Sequence, residues 1–374
     1  MFKNKFFGFA IIAAILLTVV MVVAQIPTAK SDLKDVPVAI VNNDQGKVGK
    51  QITNQITSSN SKKAVFDWHV VKSTSKMKKD MSQQHYYAAI VIPKNFSDNI
   101  SSLIIPSVSH TASINLYINQ AKNATLSSSI KPILTSLITK IGQSIATQMI
   151  SNLGKANISI SAATAEKMEH PIQIKTTTLH STSGLLSANS IFFQPIWLAS
   201  LVVSLMLFYA ARSIQTKSWQ HHVSTKLSHT IASAVMAILI GSLSTINAIW
   251  ILGYHAHSIL PLMPFLCITS FAFIMLFSGV LTWVGFPGVI LFALLLFFSA
   301  PLMAMAPQMI PSFYQHWIMP WLPMRFLYEG TKSMLYYGSS YWNSSTKSLV
   351  VIMLVGFILF YAESFLPKHI KSSK

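Results

Sequence analysis

The chain has 374 residues, of which 52% are hydrophobic and only 10% charged, and its mean hydropathy is +0.49. A soluble enzyme carries about a quarter of its residues as charges, so this composition excludes that class and turns much of the apolar surface toward lipid. The 28 lysines and arginines outnumber 10 acids for a formal charge of +18, which calls for something anionic nearby, and the lone cysteine, Cys267, excludes an intramolecular disulfide framework or any multi-cysteine metal site.

Crossing roughly 30 Å of hydrocarbon takes about 20 apolar residues in a helix. The first run of that kind covers residues 6–26, behind Lys3 and Lys5. It reads as an uncleaved anchor; the alternative is a secretory signal, with Val22 and Ala24 resembling a cleavage box. A signal core usually has about 7–15 residues, and this run is longer. On either reading the segment that follows is exported.

Residues 27–190 form the expected extracytoplasmic domain, with seventeen lysines against eight acids. That is nine net positive charges, and the rest of the chain carries the same excess. The outer share is either a solvated basic surface or an attraction to anionic lipid or cell-wall polymer, screened within a Debye length. From 27 to 120, apolar strand patterns at 36–41, 66–71, 86–92 and 113–118 alternate with helical stretches at 48–58, 73–84 and 97–103. This predicts crossover units and a small α/β domain. Over 121–156, Leu126, Ile130, Ile133, Leu134, Leu137, Ile138, Ile141, Ile145, Met149 and Leu153 recur at helical spacing, one stripe on a long helix. The stripe packs on its own domain or forms a seam with a partner subunit. Residues 157–190, rich in Ser and Thr, read as an extended connector back to the membrane.

Five further spans follow at 191–211, 227–252, 262–284, 287–306 and 348–366. Gly285-Phe286-Pro287-Gly288 breaks one long apolar run into a hairpin of two. Lys3 and Lys5, then Arg212, Lys217 and Lys226, then Lys368, Lys371 and Lys374 fall in three segments without an acid, which places both termini inside. The segment 307–346 is rich in interfacial aromatics, including Trp317, Trp321, Tyr328 and Tyr336, and Arg325 and Glu329 are spaced to pair on one helical face. It reads as one or two short helices in the outer leaflet, forming a re-entrant segment or outer gate built on Trp321, Arg325, Tyr328 and Glu329.

Motifs for chemistry are sparse. Gly46-Lys47-Val48-Gly49-Lys50 lacks the spacing of a phosphate loop, and no GxSxG or HExxH sequence occurs. The pairs His221-His222 and His255/His257 lack a visible third ligand, so no metal or catalytic residue is expected. Glu363, near the inner end of the last span, is the lone acid in these runs and shallow enough to snorkel, which argues against proton coupling. Ser242, Ser244, Thr245 and Asn247 are read as interhelical hydrogen-bonding groups.

One anchor, a large outer domain, then five helices with an aromatic stretch before the last resemble the permease subunit of a type-2 ATP-binding-cassette (ABC) exporter. The runs Val36-Pro37-Val38-Ala39-Ile40-Val41-Asn42-Asn43-Asp44, Phe66-Asp67-Trp68 and Tyr86 to Ser97 resemble the amino-terminal domain of the YhgE/Pip (phage infection protein) family. Asn119 to Asn123 is similar to the asparagine-containing stretch that follows there. Asn42, Asn43, Asp44, Pro93, Phe96 and Ser97 stand at the centre of that likeness. The resemblance implies that the loop between the second and third spans, with Arg212, Lys217, Trp219, His221, His222 and Lys226, contacts a separate ATPase, which would hold ATP and magnesium while this chain holds no cofactor.

The expectation is therefore a polytopic α-helical membrane protein of six spans, one plus five, with an extracytoplasmic α/β domain between the first and second. It would lie in the plasma membrane and export a hydrophobic or amphipathic substrate. Expected partners are an ABC ATPase, a homo- or heterodimeric second permease and membrane lipid, with no nucleic acid. The alternative is a non-transporting receptor or secretion accessory acting through its outer domain.

Overall fold

The computed structural model describes residues 33–58, 64–104, 111–185, 188–214 and 219–365, with scattered positions between 15 and 29. The expected first span and Lys3, Lys5, Lys217, Lys368, Lys371 and Lys374 lie almost wholly outside the described residues. Two compact units result: Ser31–Thr182 with Met305–Ile310, and Met1–Lys30 with Ser183–Ala304 and Pro311–Lys374.

The first unit is a five-stranded sheet in the order β2-β1-β3-β4-β5, built from Val36–Asn42 (β1), Phe66–Val70 (β2), Ala88–Ile92 (β3), Ala112–Asn119 (β4) and Ile172–Leu179 (β5). β1 pairs in parallel with β2 and β3, β4 runs antiparallel to β3, and β5 is parallel to β4. Helices α1 (Lys47–Thr57), α2 (Thr74–Ser82), α3 (Phe96–Ser102), α4 (Ala124–Lys155) and α5 (Ala162–Glu169) connect them. The alternation of β1 decides the layers. Val36, Val38 and Ile40 face a core with Ile52 and Ile56 of α1, Phe96 and Ile100 of α3, and the α4 stripe. Ala39 and Val41 face Met77 and Met81 of α2 on the other side.

Most of the α4 stripe is thus spent within its own unit, whereas Ile133, which the stripe included, is exposed. Residues 157–190 differ from the expected connector, since they contain α5 and the edge strand β5. Lys175 to Thr178 are exposed on both faces of that strand, so no apolar alternation announced it; its eight-residue ladder with β4 holds it in place.

The second unit contains five helices long and apolar enough to span a membrane, among the described residues. They are α6 (Phe193–Ser213), α7 (Trp219–Trp250), α8 (Met263–Val284, preceded by helical turns from Ala256), α9 (Pro287–Ala304) and α11 (Ser344–Ala362). Gly285, at a φ of 70°, breaks α8 from α9 where the Gly-Phe-Pro-Gly sequence predicts a hairpin. Small residues bring α8 and α11 together: a Cβ on Gly356 would stand 2.5 Å from the Leu276 nitrogen. Trp197 of α6 fills the centre, edge-on to Phe273 and Phe277, with its indole donating to the Phe292 carbonyl at 3.1 Å. Thr245 bonds back to Gly241 of its own helix, Ser242 meets Cys267 of α8, and further cross-helix bonds run from Ser204 to the Ile274 carbonyl and between His229 and Ser278. Before α10 (Pro323–Tyr337), residues 314–321 form a π turn and a 3-10 turn.

Candidate functional site

The segment expected as a loop with Trp219, His221, His222 and Lys226 is instead the start of α7, eight residues earlier than apolarity alone placed it. Polar side chains on its first turns hid the helix from a hydropathy reading, because only one face of those turns is buried. That helical phase sorts the candidates. Trp219 and His221 are exposed, while Lys226 is buried and turns inward. Its ammonium lies 2.9 Å from Glu363, just past α11, and also donates to the Phe360 carbonyl at the end of that helix. His222 reaches the same carboxylate at 3.3 Å. Arg212, in the last turn of α6, sits over the Phe208 ring at 5.3 Å. Lys217 lies outside the described residues. Glu363 is thus a central residue of the cluster, and its sequence signal was being an acid in an apolar run.

Along α10, the Arg325 Nε donates to Glu329 at 2.7 Å, the pair that the four-residue spacing allows. Gly330 fits against the Phe265 ring, where a Cβ would stand 2.3 Å away. The Trp321 indole donates to the Trp317 carbonyl at 2.6 Å, leaving both rings exposed, and Tyr328 lies close to Asn189.

In the α/β unit, the residues of the sequence motif converge where β1 and β3 end side by side. This is the crevice at which parallel sheets of this kind place ligands, because the chain leaves the two strands in opposite directions and helix amino-termini point into it. Here the protein fills that position with its own carboxylate. Asp44 accepts from the Ser97 hydroxyl at 2.5 Å, from the Ser97 amide at 3.3 Å and from the Gly49 amide at 3.3 Å. Ser97 in turn accepts from the Val48 amide at 3.1 Å, and Asn42 accepts from the Asp44 amide at 2.9 Å. Asn43 donates to Thr74, and Phe96 is fully buried beneath, one turn beyond Pro93. One side chain therefore ties the starts of α1 and α3 to the sheet, a clip whose donors are already used.

His255 and His257 stack 5.8 Å apart, and among the described residues no three His, Cys, Asp or Glu side chains converge as a metal site.

Five span-length apolar helices, close-packed through glycines and carrying a paired ionic cluster at one end, define a multi-pass helical membrane protein. From residue 5 to residue 362 the sequence matches the family described as ABC-2 family transporter protein, and the chain belongs to that family. A stretch of 76 residues is 30% identical to the uncharacterized protein YhgE of Bacillus subtilis (strain 168), covering 18% of this chain and 9% of that protein's length. The crystal structure of a domain assigned to an ABC type-2 transporter of Thermotoga maritima MSB8 is similar over 41% of this chain and 97% of that one, at 16% identity and a TM-score of 0.30.

Proposed function

We propose that this chain is the permease subunit of an ABC exporter, moving a hydrophobic or amphipathic substrate outward with ATP hydrolysed by a separate subunit. Membership of the ABC-2 transporter family over residues 5–362 carries the reading. The distribution of basic residues supports cytoplasmic termini, a cytoplasmic start of α7 and an extracytoplasmic α/β unit. Two permease subunits would enclose the pathway, since one set of apolar helices presents little polar surface to line it.

The ATPase would meet the exposed start of α7 at Trp219 and His221. A push there would reach α11 through Lys226 and Glu363, which tie the two helices together. The test is co-purification of an ABC ATPase with the tagged chain from its own cells. Wild type should retain the ATPase, and W219A/H221A should lose it while unfolding at the same temperature. A normal complex with the double variant overturns the contact, and a wild type that binds no ATPase overturns the permease reading.

A further inference from the structure

At one end of the helical unit, where α6, α8 and α11 finish and α7 begins, lies a cavity of about 520 Å³. Arg212, His222, Lys226 and Glu363 contribute its polar wall, and Phe208, Leu281 and Val284 are part of its apolar wall. Charge within this unit is lopsided. Its residues include twelve lysines and arginines but two side-chain carboxylates, Glu329 and Glu363. Arg325 engages the first, and Lys226 and His222 engage the second. The Arg212 guanidinium at the cavity wall therefore has no uncommitted side-chain carboxylate to draw on in its own unit.

We propose that this cavity holds the phosphate of an anionic phospholipid, gripped by Arg212, with the glycerol end of the lipid lying against Phe208, Leu281 and Val284. Three observations support that occupant. Arg212 ends a span-length apolar helix, so it sits at headgroup depth, where basic pockets between helices take lipid phosphates. A planar guanidinium matches two phosphate oxygens at once. The helix ends around the cavity, whose carbonyls would repel an anion, are already capped: Lys226 serves Phe360, the Trp283 indole donates to Leu359 at 2.8 Å, and the Gly285 amide donates to Leu281 at 2.8 Å. A soluble anion would use the polar wall alone, whereas an amphiphile uses both. The proposal does not depend on transport or on an ATPase.

The full-length chain in nanodiscs of phosphatidylcholine, with and without added phosphatidylglycerol, provides the test through its thermal unfolding midpoint. Phosphatidylglycerol should raise the midpoint of wild type. R212E should lose most of that rise and R212K should keep part of it. A211W, which fills the cavity without changing charge, should lose it as well. K347E makes the same charge change near the other end of α11 and should keep the full rise. The proposal is overturned if R212E retains the rise, if K347E loses as much as R212E, or if inorganic phosphate added to phosphatidylcholine discs reproduces the effect.

Discussion

The Lys226 ammonium and the Glu363 carboxylate meet at 2.9 Å, joining the start of α7 to the residue just past the end of α11. The lysine side chain is 7% exposed and the glutamate 29%, so the pair is half sheltered. Removing one partner strands a charge in a poorly solvated place, and a fully buried pair loses about 3–5 kcal/mol in that way. With one partner partly in water, E363Q or K226M should each cost about 1–3 kcal/mol. The double variant K226M/E363Q should cost less than the two together. Thermal unfolding in detergent measures all three, and strict additivity would sink the coupling.

Asp44 holds two helix starts at once, so D44A should destabilise the α/β unit by about 1–2 kcal/mol, the range for losing a helix cap. The adjacent glycines make a second, steric point. A Cβ on Gly46 would stand 2.3 Å from Ser97, and one on Gly49 would stand 2.5 Å from the Asp44 carboxylate. G49A should therefore destabilise the unit even though alanine favours helices by up to about 1 kcal/mol. Hydrogen exchange over peptides from β1, α1 and α3 in the full chain should show faster exchange for both variants; unchanged protection would contradict the clip.

Close approach of α8 and α11 depends on Gly356. The atoms that an added Cβ would meet are backbone atoms of Met275 and Leu276, which no rotamer change can move. G356V should lower the yield of folded protein in the membrane sharply. Normal yield and an unchanged melting temperature would mean that the two helices part without penalty.

Tyr87 is 2% exposed and donates to the Gln308 side chain at 2.7 Å. Burial raises its phenol above the ordinary value of 10.0. The stabilising contribution is therefore complete below pH 10 and is lost as pH rises toward the folded-state value, because the unfolded chain releases its proton first. The slope is at most about 1.4 kcal/mol per pH unit for one group. Hydrogen exchange around β3 should accelerate above pH 10 in wild type and less steeply in Y87F, which should also lose about 1 kcal/mol at neutral pH with the hydrogen bond. Identical alkaline profiles would remove Tyr87 from this role.

Much of the architecture was legible along the chain because its signals are local. Unbroken apolar runs marked the five described spans, Gly285 to Gly288 marked the hairpin, and the short apolar runs of β1 and β3 beside helical patterns marked the α/β unit. β5 escaped because its exposed threonines alternate with nothing. The first turns of α7 escaped because their polar residues look like a loop until the helix phase is known.

Pairing was the part that local pattern could not carry. Glu363 alone reads as a shallow acid reaching for water, and Lys226 alone reads as an inside-facing charge. Asp44 and Ser97 are equally uninformative when taken singly. Composition and periodicity are properties of neighbours in the chain, so they marked the five described spans and the first four strands. Which carboxylate meets which cation, and which crevice closes over its own aspartate, depends on side chains brought together from distant segments. Close packing decides those contacts, and it decides them only once the helices and strands have taken their places in three dimensions.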